Sequence, residues 1–73
     1  MSAAYKINVI RAARAELAEA RATLNATGAA CYDNDGEDIG THADFRAWAA
    51  AQTAFRAASA RFEEMLDFAC SRD

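Results

Sequence analysis

"THADFRAWAAAQTAFRAASARFEEMLDFAC", residues 41–70, decides the fold. Phe45, Trp48, Gln52, Phe55, Ser59, Phe62, Leu66 and Ala69 follow one another at alternating steps of three and four. That spacing stacks side chains along one face of an α-helix and is incompatible with the two-residue alternation of a strand. Thr41-His42-Ala43-Asp44 opens the stretch as a capping box: the Thr41 hydroxyl accepts from the Asp44 amide, and the Asp44 carboxylate returns the bond. A helix is therefore predicted over about 42–70. Ala47, Ala51, Ala54, Ala58 and Met65 widen its apolar arc to roughly half the circumference, more than one neighbouring helix covers.

Upstream, Ile10, Leu17 and Leu24 recur at seven-residue steps with Ala13 and Ala20 between them, a narrower seam of the same kind. The first helix is predicted over about 2–26, ended by Asn25, Thr27 and Gly28, with Gly28 as the left-handed residue beyond the last turn. A loop over about 27–41 remains. Proline is absent and glycine occurs three times, so nothing breaks either helical stretch. The fold class that follows is all-α: one domain, 1–73, built as an antiparallel helical hairpin. A chain of 73 residues supports only a marginal core, and the wide apolar arc needs more cover. The expectation is thus a homodimer closing into a four-helix bundle, with Ile10, Leu17, Leu24, Phe45, Trp48, Phe55, Phe62 and Leu66 forming its core and dimer contacts.

The formal charge is −3, while Asp33, Asp35, Glu37 and Asp38 in the loop carry four negative charges by themselves. The loop, CYDNDGEDIGTHAD over 31–44, invites comparison with the EF-hand calcium loop, which has glycine at its sixth position and a bidentate Glu at its twelfth. With Gly36 in sixth place, Cys31 falls first and His42 twelfth; with Asp33 first, Asp38 takes the glycine position. Neither register works, so no metal is assigned. A solvated turn and a docking tip for a basic surface both remain open. Asp33, Asp35, Glu37 and Asp38 are accordingly partner-binding candidates, together with Tyr32 and Phe68, the latter on the polar side of the helical wheel beside Arg61 and Glu64.

Several function classes drop out. His42 is the sole histidine and has no nucleophile or second ligand at useful spacing. There is no HExxH, no GxSxG and no glycine-rich phosphate loop, so no enzyme and no cofactor are expected. Cys31 and Cys70 belong to no CxxC and no Cys/His cluster, which argues against zinc and for two free thiols in a reducing compartment. No segment approaches the ~20 apolar residues of a membrane span, and a cytoplasmic chain without a membrane role is expected. Arg11, Arg14 and Arg21 line one flank of the first helix. They are expected to pair with acids such as Glu63, Glu64 and Asp67, or, in the alternative, to read phosphates as an RNA-binding face. The absence of a broad basic surface weighs against nucleic acid.

The hairpin periodicity, with His42-Ala43-Asp44, resembles in architecture the Rop family of plasmid RNA-binding proteins, short two-helix chains that dimerise. The resemblance implies an RNA-binding helical dimer and transfers no functional residue. The reading preferred on elimination is a non-catalytic, protein-binding regulator or inhibitor that occupies a surface of a larger host or cognate protein. Small size and an alanine-rich, Arg-over-Lys composition suggest a phage or plasmid type. A structural subunit of a larger assembly is the third alternative.

Overall fold

With alanine as the commonest neighbour and no proline, both halves of the chain keep their backbone donors paired within helices. The computed structural model describes residues 3–70. It consists of α1 (Ala3–Cys31) and α2 (His42–Cys70), 29 residues each, folded back on one another as an antiparallel hairpin of 50 × 18 × 15 Å. The expected start of the first helix at residue 2 lies outside the described residues. The second helix has the bounds that its periodicity and capping box predict.

The seam of α1 is the expected one: Ala13 is buried, and Ile10, Leu17, Ala20 and Leu24 are half-buried against α2. In α2 the packed line is turned by one residue from the predicted one. Ala51 and Ala58 are buried and Met65 half-buried, whereas Leu66 is 36% exposed. Alanine explains the turn. Its methyl group lets two helix backbones approach more closely than a ring does, so the alanines take the line of contact and Trp48, Phe55 and Phe62 flank it, half-buried.

The end of α1 also differs from expectation. It runs on to Cys31 rather than stopping near residue 26, and Gly28 is an interior helical residue; the positive-φ glycine is Gly36, at 82°. Two features carry the helix through. The Thr27 hydroxyl donates to the carbonyls of Thr23 and Leu24 at 2.8 and 3.1 Å. Gly28 gives the Trp48 indole a place to rest, since a Cβ there would lie 3.3 Å from Trp48 Nε1. Termination comes from across the loop: the amides of Ile39 and Gly40 donate to the Cys31 carbonyl at 2.9 and 3.3 Å. The loop is thereby reduced to residues 32–41.

Among the described residues the buried set is Ala13, Cys31, Ala51 and Ala58. Every one is small. The hairpin has a well-defined contact line but leaves each of its large apolar side chains, among the described residues, partly in solvent.

Candidate functional site: an acidic turn and an uncovered aromatic face

At the loop end, Asp33 organises the acidic segment. Its amide donates to the Glu37 carbonyl at 3.0 Å, and its own carbonyl accepts from the Gly36 amide at 3.1 Å. Its Oδ1 accepts the amides of Asp35 and Glu37 at 2.9 and 2.8 Å. With Gly36 left-handed, this is a tight turn with a glycine bulge, closed by an isolated bridge between Tyr32 and Asp38. The carboxylate of Asp33 is thus committed to the turn, while Asp35, Glu37 and Asp38 are exposed. No three His, Cys, Asp or Glu side chains among the described residues are placed to hold a metal ion.

The turn is fastened to both helices. Thr41 N donates to Asp44 Oδ2 at 2.7 Å, the Thr41 hydroxyl donates to the same oxygen at 3.0 Å, and the Asp44 amide donates to Thr41 Oγ1 at 3.2 Å. The bond from the Thr41 backbone, then that from its hydroxyl, holds the Asp44 carboxyl below its ordinary value, against a smaller opposing effect of burial. Cys31, with none of its surface exposed, sits beneath this junction. Burial pushes its thiol up, and the charges of Asp44 and Asp38 push it further. It is closed to a second chain, whereas Cys70, at the open end of α2, is exposed.

Three rings gather where the turn meets the helices. Tyr32 stands edge-on to Phe45 and Trp48 with centroids 5.5 and 5.6 Å away, and Phe45 and Trp48 are 6.5 Å apart. Tyr32 remains 37% exposed. From this cluster a half-covered apolar strip continues along α2 through Phe55 and Phe62 to Leu66. The Arg21 guanidinium lies over the Phe55 ring at 5.9 Å, a contact that uses the cation as a partial lid. On the other side of the contact line, Ala20, Ala54, Ala57 and Ala58 leave an open groove of about 390 Å³, bordered by Glu16 and Arg61.

The remaining sequence candidates are dispersed. Phe68 is half-buried rather than free on a polar face: Tyr5 packs edge-on at 6.2 Å and Lys6 Nζ lies 6.0 Å above its ring, because the first turns of α1 run alongside it. Arg11, Arg14 and Arg21 are exposed, and their expected pairing with Glu63, Glu64 and Asp67 does not form. An ion pair joins Arg61 of α2 to Glu16 of α1 at 2.6 Å. Its members lie on the groove side, a position that helical periodicity places next to each other only once the rotated register of α2 is known. The acidic turn, by contrast, had a usable signal: Asp-Gly at 35–36 after an Asp that initiates turns.

No described helix is long and apolar enough to cross a membrane. In comparisons with protein families, curated proteins and solved structures, the chain matches none.

Proposed function

We propose that the chain is a non-catalytic, protein-binding regulator that works as a homodimer, with the aromatic side of the hairpin as the dimer interface. The observation that carries this reading is the area left uncovered. The chain exposes 5417 Å², whereas a compact protein of 7.9 kDa exposes about 4400 Å². The excess of roughly 1000 Å² matches the ~800 Å² that each partner contributes to an interface of standard size. The radius of gyration, 16.2 Å, likewise exceeds the ~11 Å of a compact chain of this length. Two hairpins laid together along Phe45, Trp48, Phe55, Phe62 and Leu66 cover an area of that order and complete a four-helix bundle, in which the aromatic rings supply the large core that each hairpin lacks.

Thermal unfolding at several protein concentrations tests the reading. A dimer gains stability by mass action, so its Tm rises with concentration. A Tm independent of concentration from the low micromolar to the millimolar range would make the hairpin a stable monomer and remove the proposal.

The exposure of Arg11 and Arg14, neither of them in an ion pair with a described acid, favours RNA as the second reading. It requires binding that weakens steeply as salt rises. Salt-insensitive retention of one protein after ribonuclease treatment, at a fixed ratio to the dimer, is the outcome expected for the regulator.

A further inference from the structure

We infer that the two copies associate in antiparallel order, the acidic turn of each lying beside the open end of the other. This rests on the dimer reading above and deepens it, because the aromatic side runs the length of α2 and two copies can cover it in either order. Charge decides between them. The loop end carries Asp33, Asp35, Glu37, Asp38 and Asp44 against Arg46, a surplus of four negative charges. The open end carries Lys6, Arg11, Arg14 and Arg61 against Glu63, Glu64, Asp67 and Glu16, the ion-pair partner of Arg61, and these charges cancel. Parallel order stacks two strongly negative ends on one another within about a Debye length, where screening is incomplete. Antiparallel order places each negative end against a nearly neutral one and so avoids the like-charge contact, whose cost acts on partner orientation.

Packing points the same way. Tyr32 already covers the loop end of the aromatic strip by standing on Phe45 and Trp48. In parallel order this projecting ring meets its own twin, with the turns beside it. In antiparallel order it meets the open end of the partner hairpin, where Leu66 is 36% exposed.

The native cysteines make the test possible without any substitution. Cys70 is exposed at the open end and Cys31 is buried at the loop end, so a nitroxide reagent used under native conditions marks Cys70. The distance between the two labels in one dimer is then read by pulsed electron paramagnetic resonance, with the mass of the labelled sample measured by light scattering. Antiparallel order separates the labels by the length of a helix, on the order of 40 Å for 29 residues. Parallel order brings them within about 20 Å, the span of neighbouring helices and their side chains. A dimer with the long distance supports the inference. A dimer with the short distance overturns the order and leaves the dimer standing, whereas a monomeric mass overturns both.

Discussion

At the scale of single residues, Gly40 and Gly28 carry different burdens. A Cβ on Gly40 would lie 2.9 Å from the Cys31 Cα and 3.0 Å from the Ala30 carbonyl oxygen. Both obstacles are backbone and cannot step aside, so Gly40→Ala is expected to cost ~1 to 3 kcal/mol, a fall in Tm of several degrees for a chain this short. Gly28→Ala meets only the movable edge of Trp48 and gains helix propensity of ~1 kcal/mol, so its denaturation midpoint should stay near that of the parent. Equal damage from both substitutions would mean that the loop does not press against the end of α1 as described. Asp44 gives a pH signature. Its folded-state carboxyl lies below the ordinary value of 3.8, so it contributes stability above that value, and the contribution is lost as pH falls through the folded value. In urea titrations between about pH 5 and pH 3, the parent should lose more stability than Asp44→Asn; equal losses would sever Asp44 from the capping box in solution. The capping box itself was legible in four consecutive residues. The contact that makes Gly40 indispensable was not, because it joins residues at opposite ends of a loop.

At the scale of the helices, alanine sets the geometry and the rings set the stability. α2 was legible from Phe45 to Ala69 because its period is clear and its start is capped. Its rotation was not, because Ala51 and Gln52 both lie within the wide apolar arc and the choice between their lines depends on how closely α1 approaches. Likewise Gly28 reads locally as a stop, whereas the Thr27 hydroxyl and the packing of Trp48 carry α1 past it and the amides of Ile39 and Gly40 end it at Cys31. Two comparisons test this arrangement. Phe55→Ala is expected to destabilise by ~3 to 5 kcal/mol, as truncation of a core ring, and Phe68→Ala by ~0.5 to 1.5 kcal/mol, as loss of the edge contact with Tyr5. Chemical denaturation of both variants ranks them, and the reverse order would place the packed face of α2 on the wrong side. Removing the Arg61–Glu16 pair by Arg61→Gln should change stability by no more than about 1 kcal/mol, since both side chains are about half exposed and solvent screens them.

At the scale of the whole molecule, a slender hairpin with alanines at its centre and rings at its margin is, on the dimer proposed above, half of a core. The backbone of the acidic turn is held by Asp33 and fastened to both helices, the groove beside Ala54 is open, and the half-covered aromatic strip is the feature that the fold leaves incomplete. The mass of the native chain in solution, followed by light scattering across a concentration series beside Phe55→Glu, tests this most directly. A native species of twice 7.9 kDa and a helical but monomeric variant are expected, because a carboxylate at the middle of the strip must be desolvated in the dimer, a cost that the neighbouring Arg21 guanidinium offsets only in part. A native chain that stays at 7.9 kDa throughout, unfolding cooperatively and unmoved by Phe55→Glu, would contradict it.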